Sequence, residues 1–388
     1  MNFDLLSALG TLGWGILGYI VPCLFVLTIV VFFHELGHFL VARWNGVRVL
    51  VFSVGFGREL LGFTDRHGTR WKVSAIPLGG YVKFFGDENA ASVPDQTAAA
   101  RMTEAERQVS FVHQKVGPRA AIVVAGPLAN FILAIVIFAS VFMFFGRQVT
   151  SARVDAVTPD SAAAAAGFQV GDLVVAINGR AIASFAEMQR VVSTNAGRPL
   201  TITIDRGGVR QDLTAVPTAR SFCNGVLGIS KSFSAADVKM QVEPPVTAIK
   251  MGVEETYFVL ERSLCFLAGV IVGRESADQL GGPARIAQVS GQAWKMGFDS
   301  GGAGGALVAV LYLAGLLSAS IGLLNLFPIP LLDGGHLMFY AIEAIRGRPL
   351  SERAQEVGFR IGLAIVVMLM LFATYNDIIH IAAQWSAS

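Results

Sequence analysis

Charge is scarce in this chain, and basic charge is missing from both ends. Only 15% of the 388 residues are Asp, Glu, Lys or Arg, and 53% are hydrophobic. No Lys or Arg precedes Arg43 or follows Arg360. A net charge of +2, with no basic stripe interleaved with aromatics, excludes nucleic acid as a partner. Cysteine is nearly absent. Cys23 falls in an apolar run, and Cys223 and Cys265 lack metal-type spacing, so no disulfide framework is expected. The N-terminal region has no basic segment ahead of its apolar run and only Asp4 as an early charge, so a cleaved signal peptide is not expected. What the chain has in abundance is long uncharged stretches. Its mean hydropathy of +0.58 places it with proteins that cross a membrane several times.

Uncharged windows of about 19 residues mark four spans. They run from Gly15 to Val41, between Arg119 and Arg147, from near Gly305 towards Asp333, and from Val357 to Ala383. Arg360 and Asp377 sit close enough to the ends of the fourth to snorkel. The run Ser263 to Gly273 is too short to cross and reads as an interfacial or packed helix. Basic residues crowd the segment from Arg43 to Arg119 and recur at Arg346, Arg348 and Arg353. The positive-inside rule therefore puts both of these loops in the cytoplasm, and both termini and the long segment after Arg147 outside. Spans one and three then run in the same direction, and motifs at their inner ends can meet.

Two such motifs exist. His34-Glu35-Leu36-Gly37-His38 closes the first span, and Asn325-Leu326-Phe327-Pro328-Ile329-Pro330-Leu331-Leu332-Asp333-Gly334-Gly335 closes the third. Residues four apart share a helix face, so His34 and His38 can turn ring nitrogens to one ion. Glu35, offset by one, reaches a water on that ion and serves as general base. A catalytic zinc needs a third protein ligand and one open position. Asp333 is the candidate for that ligand, and His336 is its competitor. Ionisable groups inside an apolar span are costly and read as functional. Pro328 and Pro330 force extended backbone before Asp333, making either an active-site wall or the exit of the span. Asn325 is a candidate donor to an oxyanion or to substrate backbone, or else an interhelical hydrogen bond.

Between Val47 and Phe85 apolar and polar residues alternate, with glycine breaks at Gly55, Gly57 and Gly79-Gly80, which reads as strands. Such strands could hold an unwound substrate by edge addition, or form a plain hairpin. The stretch Ala90 to Ala100 is polar and alanine-rich and reads as a mobile loop. Residues 152–217 read as a small α+β module. Its run from Ala166 to Arg180, with turn signals at Gly171-Asp172 and Asn178-Gly179, resembles the centre of a PDZ domain.

Together these features resemble the site-2 protease family of intramembrane zinc metalloproteases, in its regulator-of-sigma-E branch. The residues that carry the resemblance are His34 to His38, the run from Asn325 to Gly335, Gly126-Pro127-Leu128-Ala129-Asn130, and Pro77-Leu78-Gly79-Gly80-Tyr81-Val82. The resemblance implies one zinc per chain on His34, His38 and Asp333, with Glu35 catalytic. It implies substrates that are single-span membrane proteins in a bacterial inner membrane, such as anti-sigma factors already trimmed by a site-1 protease. One departure is that this chain shows a single PDZ-like module, where well-known members carry two. Alternative roles are clearance of remnant signal peptides, or a non-catalytic zinc-binding PDZ scaffold.

The expected fold is a polytopic α-helical membrane protein with four transmembrane helices. It adds a cytoplasmic-side membrane-associated β region and an extracytoplasmic α+β PDZ-like domain. The expected order is the first span (1–46), the β region and loop (47–118), and the second span (119–147). The PDZ-like domain (148–220) follows, then a linker with amphipathic helices (221–302). The third span with the Asp-Gly-Gly motif (303–340) and a loop with the fourth span (341–388) complete the chain.

Overall fold

The computed structural model describes residues 3–87, 101–231 and 238–387. The expected loop at 90–100 lies outside the described residues. The chain divides into two compact units, one of residues Met1–Phe138 with Asp278–Ser388, the other of Ala139–Ala277.

The first unit is built on long apolar helices. Helix α1 (Phe3–Trp44) leads into two long strands, β1 (Val49–Thr64) and β2 (Arg70–Phe84). A short helix α2 (Glu104–Val109), closed by a Thr103/Glu106 capping box, precedes α3 (Val116–Ser140). Among the described residues, four helical segments are long and apolar enough to cross a membrane: Leu17–Trp44, Val116–Phe145, Pro283–Asn325 and Glu352–Ala383. The protein is multi-pass. Residues 51–54 of β1 are flanked on both sides, by 80–83 and by 70–73 of β2. The hairpin is thus folded over itself, and its 80–83 segment lies at an outer edge. Phe52 stacks on Trp71 and meets Phe32 and Phe39 edge-on. This aromatic cluster seats the sheet on α1, with Val82, Phe84, Phe111, Ile122 and Tyr340 completing the core.

The second unit opens with β3 (Arg147–Thr150), β4 (Ala156–Val157) and a short helix α4 (Ala162–Ala165). A four-stranded antiparallel sheet follows, made of β5 (Leu173–Ile177), β6 (Arg180–Ala181), β7 (Leu200–Arg206) and β8 (Val209–Ala215) in the order β6-β5-β7-β8. Helix α5 (Phe185–Ser193) starts at Ser184, whose hydroxyl accepts from the Glu187 N–H. Val154, Ile177, Leu200, Ile202 and Ile204 form the core. Four short strands complete the unit's sheets: β9 (Thr218–Ser221), β10 (Asn224–Val226), β11 (Ile229–Ser230) and β12 (Val238–Gln241). Helix α6 (Pro245–Ile271) ends the unit. Because β11 pairs with β4 and β12 with β3, the folded module runs past residue 220, where a linker was expected. The run Ser263–Gly273 is no separate short helix: it continues α6 and its C-terminal turn.

The cysteine reading is also corrected, because Cys223 and Cys265 form a disulfide. It joins the turn between β9 and β10 to α6, and Arg262 of α6 donates to the Cys223 carbonyl. A separation of 42 residues carries no local signature, which is why spacing missed it.

Helix α7 (Pro283–Asn325) breaks at Gly301 and Gly302, where the φ/ψ angles leave the helical range. Gly297 and Gly305 then pack backbone to backbone, too close for a side chain on either. The break falls just before Gly305, the expected start of the third span, within an apolar segment that runs from Pro283 to Asn325. The third span ends sooner than expected. It stops at Asn325, and Asp333 is the first residue of a separate helix, α8 (Asp333–Arg346). Helix α9 (Glu352–Ala387) closes the chain. Arg360 is exposed beside Glu356, but Asp377 does not snorkel. It is 3% exposed, and its carboxylate accepts from the N–H groups of Gly282 and Arg285. It caps the start of α7.

Candidate active site

Three side chains from distant parts of the sequence converge within the first unit. His34 and His38 lie on adjacent turns of α1, and Asp333 begins α8. His34 Nε2 stands 3.2 Å from Asp333 Oδ2, His38 Nε2 3.5 Å from Asp333 Oδ1, and the two Nε2 atoms are 3.3 Å apart. Ligand atoms about 2.05 Å from a tetrahedral zinc sit about 3.3 Å from one another. The donor set and its spacing fit that ion. Asp333 Oδ2 is buried and makes no hydrogen bond, and three lone-pair atoms facing each other repel unless a cation lies among them. Among the described residues this is the one group of three His, Cys, Asp or Glu side chains arranged to hold a metal.

Supporting contacts set the ring orientations. The Nδ1–H of His38 donates to the Ile122 carbonyl at 2.8 Å, which leaves its Nε2 lone pair for the ion. Ile122 belongs to α3, and so does Gly126, where a Cβ would stand 2.3 Å from His38 Nε2 and 2.9 Å from His34 Cε1. Asn130 of α3 lies 3.2 Å from His34 Nδ1. Glu35 is bounded from the other side by β2, where Gly80 lies so close that a Cβ would stand 3.0 Å from Glu35 Cγ. Gly37 lets α1 and α3 touch, for a Cβ there would fall 2.3 Å from the Ala125 carbonyl oxygen.

The loop between α7 and α8 brings in the third ligand. Leu331 adopts φ +91°, a region costly for a branched side chain, and the chain then turns into α8. Gly334 and Gly335 pack on the carbonyls of Leu326, Phe327 and Ile329, where a Cβ would clash. The double glycine thus serves the seating of α8 on its own loop.

A cavity of about 650 Å³ opens beside the trio, and its walls include Glu35, Tyr81, Val82, Asn325, Leu331 and His336. Asn325 Nδ2 lies 3.4 Å from His34 Nε2, so the sequence candidate does face the site. Pro328 and Pro330 do not line the cavity; Leu331 and Leu332 do. Pro330 instead packs against Gly335 and Gly362, so its part is to bend the chain. His336 lines the cavity but packs on Phe359 and Tyr340 and stays out of the ligand group.

Comparison with known proteins decides the family. The family model of peptidase family M50 matches residues 22–369. The chain belongs to peptidase family M50. It is 49% identical over 371 residues to a Rhizobium meliloti protein, covering 93% of this chain and 97% of the relative. An Agrobacterium fabrum protein is 49% identical over 369 residues, covering 93% and 96%. Both carry names that give them provisionally as zinc metalloproteases. The metalloprotease MmpA of Caulobacter vibrioides is 40% identical over 382 residues, covering 94% and 96%. This M50 peptidase is a zinc metalloprotease, and His34, His38 and Asp333 form a donor group that fits its zinc. In the sequence Gly126 reads as a kink or packing residue, and Asn130 as either packing or a hydrogen bond to the active-site helix; the structure brings both against the histidines. The Gly126–Asn130 run was visible, but its approach to the histidines is a tertiary fact.

Proposed function

We propose that the protein is a site-2-type endopeptidase that hydrolyses peptide bonds within or near the transmembrane segments of single-span membrane proteins. The observation that carries this reading is the placement of the trio. His34 and His38 belong to a helical segment apolar enough to cross the bilayer, and the cavity beside them is large and partly walled by strand β2. Zinc held by His34, His38 and Asp333 would supply Lewis acidity to a water and to the scissile carbonyl. Glu35, on the cavity wall beside β2, takes the attacking water's proton and returns it to the leaving amine. Asn325 donates to the carbonyl oxygen as charge develops. A helical substrate hides its carbonyls, so it must be extended first. Residues 79–82 of β2, at the sheet edge and on the cavity wall, offer backbone pairing for that.

The proposed setting is regulated intramembrane proteolysis in a bacterial inner membrane, with anti-sigma factors, trimmed outside by a site-1 protease, as the substrate type. The basic residues between Arg43 and Arg119 support a cytoplasmic-facing active site. The Cys223–Cys265 disulfide supports an oxidising, extracytoplasmic location for the second unit. That unit's sheet, with α5 beside a cavity of about 550 Å³ bounded by residues 224–229, supports a PDZ-like module that screens substrates by their bulk or exposed ends. Reconstitution in liposomes with a single-span substrate tests the reading. Cleavage should require a segment that unwinds readily, such as one carrying Gly and Pro. Equal cleavage of a rigid all-Leu segment, or of soluble peptides alone, would contradict it.

A further inference from the structure

The two histidines of the metal group are held by unlike partners. His38 donates from Nδ1 to the main-chain carbonyl of Ile122, a group that can only accept, so its tautomer is settled. His34 Nδ1 faces the side-chain amide of Asn130, which can present either its oxygen or its nitrogen. Asn130 is fully buried, and its Oδ1 has no hydrogen-bond partner while Nδ2 faces the ring. The two ends of an amide have the same shape, and only the hydrogen-bond network assigns them. His34 Nε2 points to Asp333 and His38, so metal binding takes its lone pair and Nδ1 must carry the proton. An N–H cannot donate to an NH2. Turning the amide by half a revolution brings the stranded oxygen onto Nδ1–H.

We propose that Asn130 is the positioning residue of His34, accepting from Nδ1–H through its side-chain oxygen and thereby presenting Nε2 to zinc. The surroundings hold the side chain in place for this. The Ser318 hydroxyl of α7 donates to the Asn130 main-chain carbonyl at 2.8 Å. Gly322, one turn on, lets α7 approach so closely that a Cβ would lie 3.1 Å from that of Asn130. Helix α7 therefore backs Asn130, and Asn130 backs the ligand. Each histidine is oriented from α3, His38 by a main-chain oxygen and His34 by a side-chain one. This assignment rests on His34 as a ligand, which the variant His34→Ala reports separately by losing zinc.

The test is zinc affinity of the full-length, detergent-purified protein, measured by competition with a chelator, together with the visible spectrum of the cobalt-substituted form. Asn130→Asp keeps an acceptor facing Nδ1–H and should bind zinc within a few-fold of the parent with the same cobalt spectrum. Asn130→Leu keeps the bulk and removes the acceptor. It should weaken zinc by about 10–100-fold, the usual cost of losing a ligand's supporting contact, and alter the spectrum. A packing role predicts the reverse order, since leucine fills the space and a buried carboxylate strains it. Parental zinc affinity in Asn130→Leu, or equal loss in both variants, would overturn the proposal. If the leucine variant does not fold, Asn130→Ala takes its place in the comparison with the same expectations.

Discussion

A methyl group on Gly126 would stand 2.3 Å from Nε2 of His38, the atom that turns towards Asp333. At this position helix α3 faces the metal group with backbone alone. Gly126→Ala should therefore displace the His38 ring and lower zinc content, even though alanine is the better helix former. The loss should be at least the roughly 10-fold expected for a damaged supporting contact. Metal analysis of the purified variant checks this, and full zinc occupancy would show that the helices can separate at no cost.

The ligand set is tested by comparing four alanine variants. His34→Ala, His38→Ala and Asp333→Ala should each lose zinc, because three protein ligands are the minimum for a catalytic site. His336→Ala should keep it, since that ring packs on Phe359 and Tyr340 instead. Zinc retained without Asp333 but lost without His336 would reverse the assignment.

The disulfide closes a loop of 42 residues. Chain-entropy arguments give such a link about 3–4 kcal/mol of stability. Cys223→Ser, or reduction, should raise hydrogen exchange in β9, β10 and the second half of α6, and leave the zinc-bearing unit unchanged. Unaltered exchange around Cys223 would mean that the Arg262 contact and the packing suffice alone.

In the second unit, Asp172 is 1% exposed, and its carboxylate accepts two bonds from Arg206 and one from the Gln169 N–H. The Arg206 contact holds its pKa below the usual carboxylate range. A depressed native pKa means that this stabilisation is fully present above the unfolded value near 3.9 and is lost as pH falls through the lower native value. Local hydrogen exchange should rise in acid, and Asp172→Asn should flatten that dependence while costing about 2 kcal/mol at neutral pH. An equally steep acid response in the variant would assign the effect to other groups.

Much of the site is legible in the amino-acid sequence alone. The histidine pair declares itself through helical spacing, and Asp333 through the Pro-x-Pro and double-glycine context. The four spans declare themselves through the distribution of charge. What stays hidden depends on distant contacts. Gly126 reads only as a kink or packing residue, and Asn130 as either packing or a hydrogen bond to the active-site helix, until α3 is laid against α1. Cys223 and Cys265 lack a spacing rule, and Asp377 looks like an end-of-helix charge until Gly282 is found beside it. The strands β9 to β12 have only two to four residues each, too few for an alternating pattern to show.

Glu35 is assigned proton transfer at a zinc site inside the membrane-spanning unit, and everything proposed about activity depends on it. The most direct measurement pairs zinc content with cleavage for Glu35→Gln, in liposomes holding a single-span substrate with an unwinding-prone segment. Parental zinc and no measurable cleavage are predicted, with the uncut substrate retained by the enzyme. Cleavage near the parental rate in a zinc-loaded Glu35→Gln variant would contradict that role.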